Sequence, residues 1–263
     1  MPFADLFERA SEYDATADAV REALADRRSS ADAAEAVEDA DVDVTAAGTD
    51  PAPADPSSAD REPSPARVVA DADVLATDFL VGGPAREALD ALRSHAWTAL
   101  VASDPLLDDA EAVIAAFADD GLAADWREAV AAWREPAAQP AGDHPALASA
   151  YRGGAMQVVS LDPSLTGPRA AAGLRGRMAV SVREPRAFAT VFSPAGLYPE
   201  AVGGEYPGPD RDPRSMEPVD PSTDRHSDAD RHPDTDNHTD ADRHPDADQH
   251  PDADQHPDAD QHR

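Results

Sequence analysis

Val68-Val69-Ala70-Asp71-Ala72-Asp73 is the stretch on which the fold turns. Three apolar residues in a row, two of them β-branched, read as a short strand buried on both faces and ended by Asp71. Outward from it the same signal returns between helical patterns. After the Gly82-Gly83-Pro84 break a helix carries Ala85, Ala88, Leu89 and Leu92 on one face. Ala99-Leu100-Val101-Ala102 reads as a second strand. Ser103 then caps a helix with Leu106, Leu107, Ala110, Val113, Ile114 and Phe117, and Gly121 is expected to end it. Residues 122–134 read as a further helix in which Trp126 and Trp133, seven apart, share a core face. Asp143–Arg152 reads as a short helix bounded by Gly153-Gly154. Met156-Gln157-Val158-Val159-Ser160-Leu161 is a third strand ending at Asp162. A helical stretch over about 167–175, a last strand at Met178–Val182 and a helix opened by Pro185 complete the pattern. Strands alternating with helices predict an α/β fold: a parallel sheet with helices on both faces, Rossmann-like and three-layered.

The flanks read differently. Phe3, Leu6, Phe7, Ala10, Tyr13, Val20, Ala23 and Leu24 recur at helical spacing and predict one amphipathic helix within residues 1–28. Residues 29–66, almost entirely Ala, Asp, Pro, Ser and Glu, bury too little apolar surface to offset their ordering entropy and read as a disordered acidic linker. The α/β domain is then expected over 67–200. Residues 201–263 read as a disordered acidic tail, with six-residue units of the His-Pro-Asp-Ala-Asp-Gln type restarting at His226, His232, His238, His244, His250, His256 and His262.

The 263 residues hold 53 acidic and 22 basic side chains, every basic one an Arg, for a formal net charge of −31. Such acidity argues against binding nucleic acid through bulk field. It reads as a halophilic solubility adaptation, since at ~1 M salt surface repulsion is screened within ~3 Å. Cysteine is absent, which excludes disulfides, thiolate metal sites and a Cys nucleophile. No apolar run reaches the ~18 residues of a membrane span, and the N-terminus has no signal-peptide core, so a cytoplasmic protein without a membrane partner is expected.

Four carboxylates stand where chemistry is done. Asp71 ends the first strand, Asp109 lies in the helix after the second, Asp143 starts the helix before the third, and Asp162 follows that strand. The crevice of an open parallel sheet lies beyond the carboxyl ends of its strands. Aspartates converging there repel one another unless a cation neutralises them, and Mg²⁺ or Mn²⁺ is the hard ion such oxygens select. A metal held so can activate water against a phosphodiester. The plainer reading makes Asp143 a helix cap and Asp162-Pro163-Ser164 an Asx-turn.

From about Arg67 to Phe192 the chain resembles the PIN-domain family of metal-dependent ribonucleases. The opening strand with Asp71-Ala72-Asp73, the helix Ser103-Asp104-Pro105-Leu106-Leu107-Asp108-Asp109, Asp143 before Ala146-Leu147-Ala148, the run Gly154 to Asp162, and Val180 to Phe188 follow the family's order. The resemblance implies catalytic and metal-holding roles for Asp71, Asp109, Asp143 and Asp162, Mg²⁺ or Mn²⁺ as cofactor, and RNA as substrate. Three positions depart from the pattern. Ala72 lacks the usual hydroxyl, Asp73 replaces Asn, and Asp109 is one methylene shorter than Glu. These departures keep an alternative in view, a catalytically degenerate PIN-like interaction module that binds a protein partner or itself through the N-terminal helix. Arg152, Arg169, Arg175 and Arg177 flank the later strands and are candidates for holding phosphate.

Overall fold

The β-branched runs pair as expected. A computed structural model describes residues 2–40, 61–140, 143–169 and 180–219. β1 (Ser64–Ala70), β2 (Ala99–Ala102), β3 (Glu135–Pro136), β4 (Ala155–Val159) and β5 (Ser181–Arg183) form one sheet in the order β3-β2-β1-β4-β5, all parallel. β1 is central, with Val69 opposite Val158 and Ala70 opposite Val159. Val68, Val69 and Ala70 are fully buried, which is why the run lacks the alternation of a half-exposed strand. Because β2 lies on one side of β1 and β4 on the other, the strand order reverses at the β1–β4 junction, the place where open α/β sheets form their crevice.

Around the sheet lie α3 (Ala72–Leu80), α4 (Gly83–Arg93), α5 (Asp104–Phe117), α6 (Asp120–Trp133), α7 (Pro145–Gly153), the single turn α8 (Pro163–Thr166), α9 (Pro185–Val191) and α10 (Pro194–Ala201). Ser103 caps α5 as its position predicts, its hydroxyl accepting from the Leu106 amide. Gly121 does not end that helix. α5 stops at Phe117, and Gly121 lies in the first turn of α6, which Asp119 caps. Trp126 is buried in the core, and Trp133 packs edge-on against Phe3. Gly153 lets α7 approach the sheet: a Cβ there would stand 2.2 Å from Cγ1 of Val101.

The N-terminal reading needs correction. Residues 2–27 form two helices, α1 (Phe3–Ala10) and α2 (Ala17–Ala40), rather than one. Thr16 explains the break, because its hydroxyl accepts from the Ala19 amide and starts a new helix after the Ser11–Thr16 turn. The segment assigned to a linker from residue 29 continues as α2 to Ala40, since its Ala-rich composition suits a helix as well as a coil. Its other end enters β1 at Ser64. Residues 41–60 lie outside the described residues. The tail assigned from residue 201 also begins too early. The Asp210 amide donates to Ser94 O, and the Ala4 amide donates to Arg214 O, so the chain to Val219 packs on the domain. The chain divides into two units, Met1–Thr223 and Asp224–Arg263. All the described residues fall in the first of these units, and the hexapeptide repeats lie outside the described residues. Most of the helical stretch read over 167–175 does too. Among the described residues no helix is long and apolar enough to cross a membrane.

Candidate carboxylate crevice

At the β1–β4 junction the chain leaves both strands with a polar side chain. Asp71 follows β1 and is fully buried. Its Oδ1 accepts from the Ala72 amide at 2.8 Å, capping α3, and its Oδ2 accepts from the Ser160 hydroxyl at 3.0 Å. Ser160 follows β4, so this bond crosses the crevice between the two strand ends. Asp71 is thus both the helix cap of the plainer reading and a group aimed into the crevice.

The third partner of Asp71 was not foreseen. Arg28, from α2, donates from Nη2 to Asp71 Oδ1 at 2.9 Å and from Nε to Asp109 Oδ2 at 3.1 Å. Arg27 donates to the other Asp109 oxygen at 3.0 Å. Asp71 and Asp109, 38 positions apart in sequence, therefore meet on one guanidinium. Burial opposes the charge on Arg28, but Asp71 and Asp109 outweigh it and hold the guanidinium pKa above its usual value. Burial likewise pushes Asp71 upward, and Arg28 reverses this, leaving its carboxyl below the ordinary range.

His144 completes the contact. Its Nε2 lies 3.2 Å from Arg28 Nη1, and its Nδ1 lies 3.3 Å from the Ala146 amide at the start of α7. A neutral ring accepts at one nitrogen only, so these two contacts are alternatives. Burial lowers the His144 pKa against the opposing pull of Asp71, with Asp162 and Asp109 also acting on the ring. His144, not Asp143, caps α7. Asp143 is exposed, and its main-chain oxygen accepts from Gln139, so its side chain is not brought to Asp71 by any bond described. The correction has a local cause: Pro145 sits at the first helical position, which makes the residue just before it the cap. Asp162 behaves as the plainer reading has it. It caps α8, accepting from the Ser164 amide at 2.7 Å and the Ser164 hydroxyl at 2.8 Å, while its own amide donates to Ser160 Oγ.

Asp73, read only as an added charge, is 1% exposed. Its Oδ2 accepts from the Leu161 amide at 3.1 Å, and its Oδ1 is buried without a hydrogen-bond partner. Burial and the neighbouring Asp71 charge raise its pKa well above the ordinary range. Asp73→Asn should therefore stabilise the protein in the absence of divalent cations. The expected rise in Tm is about 3 °C, what ~1 kcal/mol produces in a domain of this size. The gain should shrink as pH falls toward the ordinary carboxylate range, where protonated Asp73 no longer opposes folding. A thermal melt of the variant at or below the wild-type Tm at neutral pH contradicts the assigned strain.

The donor chemistry, carboxylate oxygens with one orphaned and buried, suits Mg²⁺ or Mn²⁺. Among the described residues no three acidic or His side chains are grouped to bind such an ion, because Arg28 is bonded to Asp71 and Asp109 and supplies the positive charge they require. A cavity of about 370 Å³, lined by Asp18, Arg21, Leu24, Arg28, Asp162 and Pro163 among others, lies beside that guanidinium. The arginines expected to meet phosphate are less informative. Arg152 lies over the Tyr151 ring, Arg169 is exposed, and Arg175 and Arg177 lie outside the described residues.

Sequence reasoning missed Arg28, His144 and Ser160. One signal was present: Arg27-Arg28 is the one adjacent pair of arginines in the chain, on a helix otherwise rich in Ala and Asp.

The model of a family of unknown function, DUF7384, matches residues 62–214. No curated protein and no solved structure matches the chain.

Proposed function

We propose, for a chain that belongs to the DUF7384 family of unknown function, that the crevice is a PIN-like, Mg²⁺- or Mn²⁺-dependent ribonuclease site. One observation carries this reading. At the topological switch point of a parallel sheet, Asp71 and Asp109 turn onto a single cation, so the crevice is built around a positive charge. A divalent ion bound there would lower the pKa of water and stabilise a leaving oxygen. The chain's own residues would do the rest. Asp71, fixed by the Ala72 amide and Ser160, offers an ionised oxygen at a set position. Asp109 adds a second from α5. His144, kept neutral by burial, stands ready to accept a proton at Nε2 once Arg28 is not bonded to it. Asp162 lines the adjoining cavity through which substrate would reach these groups.

The interaction-module reading has its own support, namely that Arg28 already neutralises the pair and no three-ligand group forms among the described residues. The two readings part on one measurement. Full-length protein incubated with single-stranded RNA and millimolar Mn²⁺ should cleave it, and Asp71→Asn should slow cleavage by on the order of 10²-fold or more, as loss of a preorganised electrostatic stabiliser does. Undiminished cleavage by Asp71→Asn sinks the ribonuclease reading. So does the absence of cleavage by both the wild type and Arg28→Gln.

A further inference from the structure

We propose that the middle of α2, residues 25–31, is a plug built into the chain, with Arg28 competing directly against a divalent cation for Asp71 and Asp109. This rests on the reading of the crevice as a cation site and adds what controls entry to it.

Three features of α2 support the inference. First, the described bonds of the Arg28 side chain go only to crevice groups, Asp71, Asp109 and His144, with no bond to a main-chain oxygen of the domain. Arg28 is thus complementary to the same carboxylates that a metal would need.

Second, the way α2 is seated makes this part of it separable. Val20 and Leu24 are its buried apolar anchors. After Leu24 the described residues 25–31 contain none that is buried, and Arg27 and Arg28 join this part to the domain through their ion pairs. The helix is flanked by space on both sides. The cavity beside Arg28 and Asp162 is about 370 Å³, and a second of about 510 Å³ is lined by Arg27, Ser30 and Ala31 of α2 and by Ala112, Val113 and Ala116 of α5. A helix turn held mainly by its ion pairs, with no buried apolar side chain among residues 25–31, can lift while Val20 and Leu24 stay in place.

Third, the crevice is strained in the direction that a second cation would relieve. Asp73 Oδ1 is an orphaned acceptor in a fully buried carboxyl whose neighbours are Asp71 and Arg28. Arg28 meets Asp71 and Asp109 but leaves that oxygen without a partner, whereas a metal ion surrounded by oxygens gathers several at once. The family match begins at residue 62, so the plug lies on a segment that precedes the matched one and reaches back into it.

The competition is measured with the full-length protein and Mn²⁺ alone, by calorimetric titration of wild type, Arg28→Gln and Arg27→Gln. Arg28→Gln should bind Mn²⁺ roughly ten-fold or more tightly than wild type, because the closed state no longer subtracts from the apparent affinity. Arg27→Gln, which frees only the outer oxygen of Asp109, should change it far less. Amide hydrogen exchange on the wild type supplies a second readout that needs no variant to fold: saturating Mn²⁺ should quicken exchange over residues 25–33 and leave β1 and β4 unchanged. Equal Mn²⁺ affinity in wild type and Arg28→Gln, or no change in α2 exchange at saturation, overturns the plug. If Arg28→Gln gains affinity but cuts no RNA, the plug stands and the ribonuclease reading fails. If wild type cuts RNA as fast as Arg28→Gln, the ribonuclease reading stands and the plug fails.

Discussion

Asp78→Ala should lower stability by about 3–5 kcal/mol, the usual cost of leaving a buried charge unpaired, and lower Tm by about 10 °C or more. Asp78 is 2% exposed and lies on α3 under α4. One of its carboxylate oxygens accepts from Arg93 Nη2 and the other from Arg86 Nε, the latter at 2.8 Å. Arg93, 1% exposed, has one further described ion-pair partner, Asp90, and its Nε has no hydrogen-bond partner. Removing Asp78 therefore leaves the buried Arg93 guanidinium with Asp90 as its one described counter-charge and an unbonded Nη2, and takes a carboxylate from Arg86 as well. Burial already lowers the Arg86 pKa, and Asp78 is the first charge that offsets this. Salt discriminates between this pair and the surface ones. Arg9–Asp125, each side chain about 40% exposed, is screened by salt, whereas the Asp78 effect should persist in molar KCl. Replacing both partners, Asp78→Leu with Arg93→Met, should recover much of the loss, because it removes the under-compensated buried charge along with its partner. A loss below 1 kcal/mol for Asp78→Ala in chemical denaturation contradicts this pairing.

The contrast between Asp78 and Asp71 shows what sequence can and cannot disclose. The sheet was legible because each strand is a short apolar run between helical patterns, and burial on both faces leaves a signal within the run itself. Val68 to Ala70 and Val158 to Val159 are fully buried. β3 was missed because two residues, Glu135 and Pro136, carry no periodicity, and α10 because Pro199 interrupts it. Asp71 and Asp109 were identifiable from their places at a strand end and on the following helix. Their partner was not. Arg28 lies more than 40 positions before Asp71 on a helix whose pattern announces only an apolar face, and nothing local says where that helix docks. Asp143 and His144 are neighbours, and the choice between them as cap turns on local geometry at Pro145. Asp78 has the same difficulty: in sequence it is one of many acidic residues on an acidic chain, and only the fold shows two arginines closing over it.

Phe7→Ala should cost about 3–5 kcal/mol, the range for removing a buried Phe ring, although it lies on an eight-residue helix well outside the segment matched by the family model. The ring is 8% exposed and is packed on several sides. The Arg86 guanidinium sits 3.4 Å from its centroid, Phe79 is 6.1 Å away and Phe3 5.8 Å. Truncation therefore removes apolar burial, a cation–π contact and part of the cover over the Asp78–Arg86–Arg93 pairs at once. The consequence extends along the chain. α1 holds its place through Phe3, Leu6 and Phe7, and the turn after it is tied down by Tyr13, whose hydroxyl donates to Asp119 at 2.7 Å. Loosening α1 leaves α2 fixed by Val20, Leu24 and its arginines alone, so hydrogen exchange across α2 should quicken in Phe7→Ala under conditions where α5 and β1 remain protected. Leu24→Ala makes the comparison: it also removes a buried side chain but acts on α2 directly and leaves the ring cluster intact. Urea unfolding of Phe7→Ala decides the matter. A loss under 1 kcal/mol with unchanged exchange in α2 would mean that α1 does not rest on this core in solution, and that Arg28 must be held in the crevice by α2 alone.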